Sequence, residues 1–120
     1  MSKILAVDDS ASMKEMVKFT LTEAGYEVFE ASDGLEALEV AKKTLVDAVI
    51  ADVHMPNMDG ITLIGELRKL SGYKFVPILM LTTDSDMGLK RQAASSGATG
   101  WLVKPFSPDR LLATVKRVLG

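Results

Sequence analysis

The sequence predicts an α/β domain built on a five-stranded parallel sheet with helices on both faces. Three observations carry this. Five short apolar runs alternate along the 120 residues with segments whose apolar residues recur at helical spacing. The runs are almost wholly apolar, as strands buried on both faces are, and do not alternate between apolar and polar. No linker, internal repeat or low-complexity stretch interrupts the strand–helix succession, which argues for one layered core.

The elements follow in order. Ile4 to Val7 is the first strand, closed by Asp8-Asp9. Ser12 with Glu15 three residues on has the pattern of a capping box and is expected to open the first helix. Met13, Met16, Val17, Leu21 and Ala24 form its inner face, and Gly25 stops it. Val28 to Ala31 is a second, weaker strand. Asp33 and Glu36 open the second helix, with Leu35, Leu38 and Ala41 expected inward. Ala48 to Ala51 is the third strand and ends at Asp52. A turn holding Met55-Pro56 and Asp59-Gly60 leads into the third helix, with Ile61, Ile64, Leu67 and Leu70 inward. Pro77 precedes the fourth strand, Ile78 to Leu81, which runs into Thr82-Thr83-Asp84. The fourth helix is a poor one, with Gly88 early in it and Gly97 at its end. Trp101 to Val103 is the fifth strand and ends in Lys104-Pro105. Ser107-Pro108 is a cap followed by proline at the first helical position. Leu111, Leu112, Val115, Val118 and Leu119 face the core from the last helix.

Length and composition bound the function. A chain of 120 residues suits one domain, expected over residues 1–120 with no output domain, and buries about two-thirds of its surface on folding. The net charge of −2 supplies no basic excess for a nucleic acid. The chain has no cysteine, so neither a disulfide framework nor a thiolate site is available. No segment is apolar enough to span a membrane, and the N-terminus lacks a signal-peptide layout. A cytoplasmic monomer is expected.

The chemistry gathers at the strand tips. Open parallel sheets bind ligands at the carboxyl ends of their strands. The polar residues there are Asp8, Asp9, Asp52, Thr82 and Lys104; the second tip, Ala31-Ser32-Asp33, offers nothing distinctive. If strands one and three are neighbours, their tips lie about 4.8 Å apart, and the three carboxylates can share one cation. Oxygen-only ligands favour a hard ion such as Mg²⁺, with Mn²⁺ as a substitute. A hydroxyl from Thr82, the ammonium of Lys104 and a divalent cation around Asp52 suit the oxygens of a transferring phosphoryl group, with Asp52 as nucleophile.

These residues resemble the receiver domain of two-component response regulators, over essentially the whole chain and closest to its stand-alone chemotaxis members. The carriers are AVDDS, Asp52 followed by MPNMDG, Thr82, and VKPFSP. The resemblance implies a flavodoxin-like (βα)5 fold with strand order 2-1-3-4-5. It implies that Asp52 accepts a phosphoryl group from the phosphohistidine of a histidine kinase. It implies Mg²⁺ held by Asp9, Asp52 and the backbone carbonyl of His54, with Asp8 acting through water. Lys104 and Thr82 would hold phosphoryl oxygens, with Lys104-Pro105 a cis peptide. Thr82 and Trp101 would be the switch pair, Trp101 being larger than the family's usual Tyr or Phe. His54, Thr83 and Asp84 would tune hydrolysis. The face of the fourth helix, fifth strand and fifth helix would bind a partner protein, such as a flagellar motor switch.

Other readings compete. A phosphorelay shuttle or a phosphate sink uses the same chemistry. A phosphatase with an aspartate nucleophile, of the haloacid dehalogenase type, pairs acids two residues apart on its first strand, which the adjacent Asp8-Asp9 does not match. A flavin carrier needs a phosphate loop after that strand, and Asp8-Asp9-Ser10 would repel phosphate.

Overall fold

The computed structural model describes residues 2–83 and 87–119, side chains of residues 87–90 excepted. Its elements are β1 (Lys3–Val7), α1 (Ala11–Glu23), β2 (Glu27–Ala31), α2 (Gly34–Lys43), β3 (Ala48–Asp52), α3 (Gly60–Lys69), β4 (Ile78–Thr82), α4 (Met87–Ser96), β5 (Gly100–Val103) and α5 (Pro108–Leu119). All four strand pairings are parallel and the order is β2-β1-β3-β4-β5. The expected fold class and strand order are both observed.

Strand alternation sorts the core into two layers. Leu5, Val7, Val49, Ala51, Ile78 and Met80 meet α2, α3 and α4 through Ala37, Ala41, Leu63, Ile64, Leu67 and Ala93. Ile4, Ala6, Ala48, Ile50, Leu79, Leu81 and Leu102 meet α1 and α5 through Val17, Leu21, Leu111 and Val115. The period of two follows from the pleat, and both rows are apolar because both faces are covered.

Three expectations need correction. The cap of α1 is Ser10, whose Oγ accepts from the Met13 N–H at 3.2 Å; Ser12 lies inside the helix. The turn after Asp8 is tight enough to start the helix two residues sooner than the capping-box pattern suggested. Leu35 is 52% exposed, because α2 packs on Ala37 and Ala41, which turns position 35 away from the sheet. Ala24 is exposed and caps α1 without joining its inner face. The other caps stand as expected: Asp33 accepts from Glu36 N–H at 2.8 Å, and Ser107 Oγ from Arg110 N–H at 3.1 Å. Gly25 and Gly97 have φ of +98° and +108°, which a side chain would strain.

Two side chains tie the loops that feed β3 and β4. The Tyr73 hydroxyl accepts from the buried Val46 N–H at 3.1 Å and lies 2.9 Å from Ala41 O and 2.8 Å from Thr44 O. Arg68 donates to the carbonyls of Tyr73, Val76 and Gly97 at 2.6–2.8 Å, joining the end of α3 to the end of α4. Among the described residues no helix is long and apolar enough to cross a membrane.

Candidate functional site

The sheet brings Asp8, Asp9, Asp52, Thr82 and Lys104 to one edge, and register explains how. Asp8 follows β1 in the parity of Ile4 and Ala6. Asp52 ends β3 in the parity of Ala48 and Ile50, so both carboxylates belong to the row facing α1 and α5. Lys104 continues the parity of Leu102 from β5. Thr82 has the opposite parity, that of Met80, as does Trp101, the register partner of Met80.

The three aspartates each offer a carboxylate oxygen within 4.8 Å of the others. Asp8 and Asp52 are buried, and Asp9 is exposed. Asp8 is oriented from two sides: Oδ1 accepts from Ser10 N–H at 2.9 Å, and Oδ2 lies 3.1 Å from Lys104 Nζ. The same ammonium lies 3.4 Å from Asp52 Oδ2. Lys104 is brought there by its backbone N–H, which donates to Thr82 O at 2.6 Å, and by a cis peptide to Pro105. The donor set is all oxygen and acidic, the chemistry that a hard divalent cation requires.

Burial pushes the Asp52 carboxyl above the usual carboxylate range. Lys104 pulls it down through charge, Asp8 pushes it up, and hydrogen bonding to Lys104 and to the His54 backbone amide also favours its charged form. Burial wins because one ammonium is shared between two carboxylates. A buried carboxylate with one fixed cation beside it can act as a nucleophile, and a further cation offsets the remaining repulsion.

The loop from Val53 to Asp59 passes close to Asp52. Gly60 N–H donates to Val53 O at 2.9 Å, and a Cβ at Gly60 would lie 2.2 Å from the Asp52 carbonyl oxygen. Glycine is therefore required where α3 starts against the end of β3. His54 and Thr83 are exposed beside the site, and Asp84 lies outside the described residues. Trp101 is 38% exposed and lines a cleft of about 250 Å³ with Arg110, Thr114 and Arg117 of α5.

Sequence reasoning passed over the tip of β2. Asp33 caps α2 with Oδ1 and accepts from Asn57 Nδ2 with Oδ2 at 2.6 Å. Asn57 has φ of +66°. Asn57 directly after Met55-Pro56 in the turn was the available signal, since Asn tolerates the left-handed backbone.

The model of the response regulator receiver domain matches residues 4–116, and the chain belongs to that family. Its relatives include both chemotaxis proteins and longer transcriptional regulators. The chemotaxis protein CheY1 of Helicobacter pylori is 38% identical over 120 residues, which cover 98% of this chain and 97% of that protein. The transcriptional regulator ycf27 of Porphyridium aerugineum, named as probable, is 42% identical over 117 residues, and the chain spans about half of its length (48%). Among solved structures, the chemotaxis response regulator CheY4 of Vibrio cholerae superposes with a TM-score of 0.95 at 53% identity, covering 98% of both chains.

Proposed function

We propose that this chain is a phosphorylation-activated regulator in which Asp52 takes a phosphoryl group from a histidine kinase and the surface of α4, β5 and α5 reports it to a partner. The observation that carries this is the shared ammonium: Lys104 bridges the buried Asp8 and Asp52. The Asp52 carboxylate attacks phosphorus, a P–O bond forms as the P–N bond to the kinase imidazole breaks, and the imidazole takes up a proton. Lys104 and the Thr82 hydroxyl then meet phosphoryl oxygens, where fixed donors matter most. Water attack on the acyl phosphate later releases phosphate and restores Asp52, with His54, Thr83 and Asp84 setting water's access. The domain promotes its own phosphotransfer and dephosphorylation but turns over no separate substrate.

Asp8, Asp9, Asp52 and the backbone of His54 are the residues that would hold Mg²⁺. When bound, the ion supplies positive charge against the phosphoryl oxygens. The acidic, all-oxygen cluster supports this assignment.

The switch reading rests on parity. Thr82 and Trp101 belong to the sheet row on the α4 side, so a Thr82 drawn toward a phosphoryl group vacates space that the half-out indole can enter. Exposed Trp101, Arg110 and Arg117 give the receiving face both an aromatic and a cationic character. The whole chain over residues 1–120 acts as one receiver domain in the cytoplasm, and the resemblance to full-length chemotaxis regulators favours a motility partner such as a flagellar motor switch over a phosphorelay or a phosphate sink. Capture of a purified motor-switch protein by the acetyl-phosphate-treated chain, with none by Asp52→Asn, is the expected result. Equal capture by both would contradict the reading.

A further inference from the structure

We propose that Asn57 is a positioning residue for the phosphoacceptor site: its side-chain amide, tied to Asp33, latches the loop 53–59 so that the His54 backbone is held against Asp52. The inference rests on the reading of Asp52 given above.

Four observations point to a latch. Asn57 Nδ2 donates to Asp33 Oδ2 at 2.6 Å, across 24 residues of chain. Asn57 adopts φ of +66°, a region that Asn and Asp tolerate better than other residues with a side chain. The next residue, Met58, packs so closely on Gly34 that a Cβ there would lie 2.7 Å from the Met58 Cβ. Inside the loop, Met58 N–H bonds Pro56 O at 2.7 Å and Gly60 N–H bonds Val53 O at 2.9 Å. The loop is therefore closed on itself at its base and moored to α2 at its tip. His54 lies between these two fixings, and its backbone N–H is hydrogen-bonded to the Asp52 carboxylate.

The Asp33 carboxylate serves both ends of this arrangement. One oxygen caps α2 and the other takes Asn57, so the position of the loop is referred to a helix terminus built into the fold. Without the latch, the loop would keep its base contacts while its tip left α2. The His54 backbone would then sample other orientations beside Asp52.

Three variants test this. Asn57→Gly keeps the left-handed backbone and removes the amide. Asn57→Asp keeps the shape and sets two carboxylates against each other. Asp33→Asn with Asn57→Asp exchanges amide and carboxylate, keeping a helix cap and the net charge. The first readout is amide exchange of Met58 and Gly60 in EDTA, by NMR. The second is the Mg²⁺ concentration that gives half the maximal rate of phosphorylation by acetyl phosphate.

Each single variant should raise exchange at Met58, beside the tip, about tenfold and the half-saturating Mg²⁺ by a similar factor, while Gly60 at the base exchanges as in the parent, as losing one hydrogen bond at the tip implies. The exchanged pair should return both to within about twofold of the parent, because it restores one bond. Single variants that match the parent would overturn the latch. So would an exchanged pair as impaired as Asn57→Asp. Tighter Mg²⁺ dependence in Asn57→Asp would also overturn it, since added negative charge alone acts in that direction. If Asp52→Asn is phosphorylated like the parent, the phosphoacceptor reading fails while the exchange measurement still decides the latch.

Discussion

Lys104 Nζ lies 3.4 Å from Asp52 Oδ2 and is shared with Asp8 Oδ2 at 3.1 Å. The ammonium therefore compensates each carboxylate only in part, and burial leaves the Asp52 carboxyl above its ordinary range. In metal-free protein the Asp52 carboxyl should therefore titrate at a higher pH than an ordinary aspartate. Lys104→Met removes the strongest influence lowering that pKa, so its Asp52 should titrate higher still. With Mg²⁺ present, the rate of phosphorylation of Lys104→Met by acetyl phosphate at neutral pH should drop by about 10²–10³, the scale of losing one fixed charge stabiliser. Carboxyl carbon NMR titrations in EDTA and a rate comparison of both proteins check this.

The same imbalance predicts a stability gain from Asp52→Asn. The unfolded carboxyl titrates at the ordinary value and the folded one above it. Between those values the native state binds more protons, so stability falls as pH rises through the window. Above it the cost is present in full. Urea unfolding in EDTA at neutral pH should show Asp52→Asn more stable by on the order of 1 kcal/mol, the scale of burying an incompletely paired group. The gain should fade as the pH drops through the raised value. A variant less stable than the parent at neutral pH would contradict the account.

Far from the site, Tyr73 is a structural counterpart. Its hydroxyl accepts from the buried Val46 N–H at 3.1 Å. Tyr73→Phe leaves that donor without a partner and should cost about 1–3 kcal/mol in unfolding free energy. The phosphorylation rate should be unchanged, since Tyr73 lies in the loop that enters β4, at the opposite end of the sheet from Asp52.

Particular residues show what sequence could and could not convey. Apolar strands ending in Asp8, Asp52, Thr82 and Lys104 were legible because strand direction and period put those residues at one edge. Leu35 was misjudged because a ten-residue helix has two candidate apolar faces, and the small residues Ala37 and Ala41 won by allowing close approach to the sheet. Ser10 was missed because Ser12 offered the stronger local pattern, while the winning cap depended on the turn that Asp8 sets with Ser10. Asn57 and Asp33 were not legible as a pair. Their contact exists only because β1 separates β2 from β3 by one strand, which brings the two following loops together.

The most direct test of the central claim is intact-protein mass spectrometry after incubation with acetyl phosphate and Mg²⁺. The account predicts one phosphoryl adduct, lost on chelation before the reaction and absent from Asp52→Asn. An adduct of equal occupancy on Asp52→Asn would contradict it.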